Sequence, residues 1–100
     1  MNASADSGRM EREMGLDHAD FWRLLPRAAG AHPWQANGDR VRLEVAGGRV
    51  EIELGPQRRR RIAQLSLPVT PVTISWHAVE AEAFRRFLAA FDREYQRGGG

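Results

Sequence analysis

One hundred residues, 42% hydrophobic and 28% charged, make one small domain with a modest core. The absence of cysteine excludes disulfides, thiolate metal sites and thiol catalysis, and fits a reducing cytoplasm. All fifteen basic residues are arginine; thirteen acids leave a net charge of only +2, too little by itself to mark a phosphate-binding protein.

The opening stretch, residues 1–15, holds small and charged residues with no apolar segment behind the charges. It is expected to be a disordered leader and not a signal peptide. No later apolar run approaches the roughly 18 residues of a membrane span, so no membrane partner is expected.

The first structured piece is LDHADFWRLLPRAAG. Asp17 can cap a helix, Asp20 suits the positive end of its dipole, and Phe21, Leu24, Leu25 and Ala28 recur at helical spacing. Pro26 lacks an N–H and crowds the preceding turn, so the helix should end, kink or restart near Leu25, with Gly30 closing it.

Two hairpin signals follow, Asn37-Gly38 and Gly47-Gly48. Between and after them Val41, Leu43, Val45 and Val50, Ile52, Leu54 alternate with charged residues, which predicts two half-buried strands. Taking the two dipeptides as the loops pairs Val45 with Val50, Arg42 with Glu53 and Trp34 with Val41. Glu44 against Glu51 is then a conflict. A short first strand over about 32–36 is confined to an edge by Pro33.

A third run, Ile62 to Leu67, puts Ala63, Leu65 and Leu67 on one parity. A fourth, Pro71 to His77, does the same for Val72, Ile74 and Trp76. A turn over Pro68–Pro71 would join them with all of these residues in the core. The chain then closes with Phe84, Phe87, Leu88, Phe91 and Tyr95 at i, i+3, i+4, i+7 and i+11, the strongest helix pattern present. Glu82 can pair with Arg85 and Arg86, and the final glycines should fray.

These elements predict an α+β two-layer sandwich: an antiparallel meander of four or five strands with the N-terminal and C-terminal helices on one face. The domain should cover 16–97 between the leader and a flexible glycine tail, 98–100.

Chemistry-bearing patterns are sparse. His18, His32 and His77 form no ligand pair, and neither a nucleophile elbow nor a phosphate-binding glycine loop occurs. Glu51 and Glu53 lie two apart on one strand, but flanking arginines favour both as ionised and solvated. No catalytic, metal or cofactor residue is therefore assigned, and no enzyme is expected.

Two features remain as partner contacts. Trp22 falls at the margin of the first helix's apolar stripe. Arg58, Arg59, Arg60 and Arg61 form a run in a segment, 39–77, with seven arginines against four acids. Because Arg59 and Arg61 have the apolar parity of the following strand, the strand should begin near Arg61 or Ile62. That leaves Arg58–Arg60 in a protruding loop, partly answered by Glu51 and Glu53.

The reading that follows is a small non-enzymatic cytoplasmic accessory or protein-interaction module, contacting an unidentified protein or itself. A nucleic-acid-binding protein using the arginine segment is the alternative. A third reading is an apolar-ligand pocket lined by Trp34, Trp76, Phe84 and Phe87.

Overall fold

The structure, a computed structural model, describes residues 5–99. Its elements run β1 (Ala5–Met14), α1 (His18–Ala29), β2 (Trp34–Asn37), β3 (Arg40–Val45), β4 (Gly48–Leu54), β5 (Arg58–Ile62), β6 (Leu65–Glu80) and α2 (Ala81–Gly99). The six strands are antiparallel and ordered β1-β6-β4-β3-β2, with β5 paired to β6 off this path. The α+β class with an antiparallel sheet therefore holds, but the described residues form six strands, and α1 follows a strand.

That strand overturns the expected leader. Residues 5–14 pair along β6 from Glu80 to Thr70, and residues 1–4 lie outside the described residues. The segment lacks strong strand formers, so its conformation comes from its neighbours. Met10 and Met14 face the core opposite Ile74 and Thr70, and the inward-facing Arg12 forks onto Asp92 of α2. At the other end α2 runs to Gly99, taking in two of the three glycines expected to fray; Gly100 lies outside the described residues.

Both helices contribute to one core with the inner sheet face. Phe21, Leu24 and Leu25 of α1 and Phe87, Phe91 and Tyr95 of α2 cluster with Val41, Leu43, Val50, Ile52, Val72 and Ile74. The Asp17 carboxylate caps α1 by accepting from Asp20 N–H, and the helix continues through exposed Pro26 to Ala29, where Gly30 caps it. The Tyr95 ring stacks on Phe21 at 5.3 Å, and its buried hydroxyl donates to Phe21 O at 2.8 Å. Burial holds the Tyr95 phenol in its protonated form well above the usual tyrosine range.

Strands β3 and β4 show the expected faces in a different register. Val45 pairs with Gly48, Leu43 with Val50 and Val41 with Ile52, so the loop is Ala46-Gly47, both at positive φ. The offset preserves every face, and it sets Glu44 against Arg49, which removes the Glu44–Glu51 conflict. Gly48 belongs to the strand for a steric reason: a Cβ there would press into the carbonyls of His77 and Ala78 on β6. Likewise β2 pairs Trp34 with Leu43, not Val41, through a Gly38-Asp39 loop. All four residues of this edge strand are exposed, and Trp34, which the sequence sets opposite core-facing Val41, is 38% exposed.

The largest departure is β6. No turn occurs at Pro68–Pro71; sixteen residues run as one strand, which spans roughly 50 Å at the usual rise. The longest dimension of the molecule is 55 Å, against 24 and 21 Å, so β6 is its spine. Among the described residues no helix is long and apolar enough to cross a membrane.

Candidate interaction surface

From Thr70 onward β6 lies inside the sheet. Before Thr70 its only partner among the described residues is β5, and the two make a hairpin ribbon closed by Ala63-Gln64, with Ala63 at φ 54°. The sequence run Ile62–Leu67 is thus the tip of a hairpin and not one strand, and Arg58–Arg60 are strand and not loop. Arg58 pairs with Val69, Arg60 with Leu67 and Ile62 with Leu65; Arg59 pairs with Pro68 and Arg61 with Ser66.

These pairs divide the ribbon into two faces, because opposed residues share a face and neighbours alternate. One face carries Arg58, Arg60, Ile62, Leu65, Leu67 and Val69. The other carries Arg59, Arg61, Ser66 and Pro68. Ile62, Leu65 and Leu67 are 52%, 62% and 42% exposed. They have the parity of Pro71, Thr73 and Ser75, on the sheet face away from the core residues Val72 and Ile74. Sequence parity with a turn at Pro68–Pro71 puts Leu65 and Leu67 in the core; because β6 runs straight through those prolines, both fall on the sheet face opposite Val72 and Ile74 and stay on the surface.

The arginines are not answered as their sequence neighbours suggest. Glu51 instead takes Arg42 at 3.1 Å and Arg49 at 3.7 Å, and Glu53 takes Arg40 at 3.4 Å. The carboxylate that meets the run is Glu13 of β1: one oxygen accepts from Arg58, the other from Arg60 at 2.7 Å. Those hydrogen bonds, Arg58 first, hold the Glu13 carboxyl below the usual glutamate value. On the opposite face Arg59 donates to Ser66 Oγ at 3.0 Å and Ser66 O at 2.8 Å, and Arg61 meets no carboxylate among the described residues.

The ribbon is fixed at its root. His18 Nε2 lies 2.7 Å from Gly55 O, so this nitrogen carries the proton and donates, while His18 N–H donates to Gln57 Oε1 at 2.7 Å. Buried Thr70 donates its hydroxyl to Leu16 O at 2.7 Å. Gly55 N–H donates to Pro71 O at 2.8 Å. Helix α1, β1 and both ribbon strands are therefore tied together where the ribbon leaves the body. Glu13, His18 and Thr70 escape sequence reasoning as parts of this surface because their partners lie 37 to 54 residues away.

Trp22, the other candidate contact, is half-buried on α1 and packs edge-on against Phe21 with ring centroids 5.1 Å apart. Of the four aromatic side chains that could line a ligand pocket, Trp76 and Phe84 stack on each other. Trp76 lies 4.1 Å from Phe84, and Phe84 lies 6.5 Å from Phe87, with Trp34 away on the edge strand β2. A groove of about 390 Å³ between β1 and α2 is lined by Arg12, Glu13, Met14, Leu16, Asp92 and Tyr95, but Arg12 is paired with Asp92, Glu13 with Arg58 and Arg60, and the Tyr95 hydroxyl is engaged. Among the described residues no three His, Asp or Glu side chains come together to hold a metal ion.

Compared with protein-family models, curated proteins and solved structures, the chain matches none.

Proposed function

We propose that this chain is a small, non-enzymatic cytoplasmic protein-interaction module whose contact surface is the β5–β6 ribbon. One observation carries the reading. Of the four large hydrophobic side chains exposed among the described residues, three (Ile62, Leu65 and Leu67) lie in one row on one ribbon face. Scattered surface leucines are ordinary, whereas a row on a projecting, anchored ribbon exposes apolar area that favours a protein partner. The arginines beside the row add orientation and on-rate more than affinity.

Nucleic acid is the second reading, favoured by the ribbon shape and by Arg59 and Arg61 on the face away from Glu13; a two-stranded ribbon fits a major groove. The apolar row speaks for protein, because phosphate contacts need uncompensated charge and not exposed leucines.

A photo-crosslinking residue placed at Leu65, with one at exposed Ala89 on α2 as control, tests this in the cells that make the protein. Light-dependent protein adducts at position 65 and not at 89 are expected. Adducts sensitive to nuclease would favour the nucleic-acid reading, and equal labelling at both positions would refute the ribbon as the contact surface.

A further inference from the structure

We infer that the ribbon's partner is an extended segment alternating acidic and apolar side chains, added as a strand to the free edge of β5. The inference rests on the reading of the ribbon as a protein-contact surface and names what fits it.

Among the described residues strand β5 pairs with β6 alone, so its other edge presents unpaired backbone from Arg58 to Ile62. Such an edge can take a further strand. The other edges are blunted, the second edge of the ribbon itself by Pro68 of β6. A register shift at Asp6/Gly8 interrupts β1, and four-residue β2 follows directly after Pro33. No bulge or proline interrupts β5.

Its charge selects the strand that fits. Between Glu53 and Glu80 there are four arginines and no acid. Like charges directly opposite each other are destabilising, so antiparallel pairing of β5 with a second β5 is disfavoured and carboxylates opposite the arginines are favoured. The two faces then set the spacing. On the apolar face Arg58 and Arg60 already share Glu13, and the remaining surface is Ile62, Leu65 and Leu67. Partner residues on that face are best apolar. On the other face Arg61 has no carboxylate and Arg59 only Ser66, so partner residues opposite them are best acidic. Successive residues of an added strand alternate between these faces, which gives the alternating pattern. Glu13 is the internal precedent, a strand-borne carboxylate seated between two of these arginines.

The probe is a fluorescein-labelled peptide of alternating valine and glutamate, titrated with the full chain at about 50 mM salt, where charge pairing is little screened. Binding should be saturable, weaken as salt rises, and fall by about tenfold or more in Arg59→Gln/Arg61→Gln, whose side chains are exposed and whose fold is checked by circular dichroism. Leu65→Ser should weaken it too, and a valine–lysine peptide should not bind. Amide exchange along β5 should slow when the peptide is bound.

No binding of the valine–glutamate peptide overturns the inference. Equal affinity for the double variant does so as well, and so does binding of a 20-nucleotide single strand or phosphatidylserine vesicles in the peptide's place. If the peptide fails while protein adducts still form at Leu65, this inference falls and the interaction module stands; if both fail, both fall.

Discussion

Leu65→Ser separates a surface leucine from a core leucine, and the two readings of this residue differ enough to measure. Sequence parity places Leu65 in the core, where truncating a leucine costs about 2–5 kcal/mol. In the structure Leu65 is 62% exposed, at the tip of the ribbon opposite half-exposed Ile62. Full burial of a leucine contributes about 1.5–3 kcal/mol, and a little under two-fifths of this residue is covered, so the expected loss is about 0.6–1.1 kcal/mol. The loss is confined to a two-stranded hairpin that contributes little to the cooperative core. Urea unfolding followed by tryptophan fluorescence should show a small shift of midpoint with unchanged slope. Leu43→Ala, at a residue with no exposure, should lose several times more. A loss above about 2 kcal/mol for Leu65→Ser would refute the exposed ribbon, and with it the docking row.

Four further outcomes follow from the same geometry. Gly48→Ala should destabilise by about 3 kcal/mol or more, because its Cβ would lie 2.6 Å from the carbonyl carbon of Ala78, a backbone atom held in the sheet. Gly15→Ala, with open space around it, should be neutral or slightly stabilising in the same urea assay. The Glu13 carboxyl, followed by carbon-detected NMR, should titrate below the ordinary value of 4.5. Its folded pKa is depressed, so its pairing with Arg58 and Arg60 contributes stability above that value that is lost as pH falls through the lower folded one; a midpoint at or above 4.5 would contradict the ion pairs. The Tyr95 phenol runs the other way. Its folded pKa is raised, so its contribution is fully present below pH 10, the ordinary value, and is lost as pH rises beyond it. Tyr95→Phe should cost about 1 kcal/mol at neutral pH and flatten the alkaline decline seen in thermal melts of the parent.

What could be read from the sequence is what depends on local period. The stripe through Phe84, Phe87, Leu88, Phe91 and Tyr95 makes α2, the alternation through Val41 to Leu54 makes β3 and β4, and Asp17 and Gly30 bound α1. The β3–β4 register differs from the sequence pairing because a glycine pair does not say which member turns. Gly47 takes the positive φ, whereas Gly48 is needed where β6 passes close. Strand β1 was illegible because its inward residues are Gly8, Met10, Arg12 and Met14, a set that becomes a strand only against Trp76, Ile74, Val72 and Thr70. Gly8 fits there because a side chain would strike the Trp76 ring, 2.9 Å from its Cε2.

The ribbon departs from its sequence pattern for a different reason, and that reason bears on function. Alternation shows which residues share a face; it does not show whether another layer covers that face. Leu65 and Leu67 obey the alternation rule as well as Leu43 and Val45 do, and they remain exposed. Pro68 and Pro71 look like turn residues, yet β6 carries both through, one in the ribbon opposite Arg59 and one at the junction where Gly55 reaches across to it. A strand that runs past its own core, keeps apolar residues on the uncovered length and is braced at the junction by His18, Thr70 and Glu13 has features that core packing alone does not require. The brace limits the conformational entropy that a partner would otherwise have to remove on binding. It also divides the arginines into two that secure the ribbon to β1 and two on the opposite face, with the apolar row between the anchored pair and the tip.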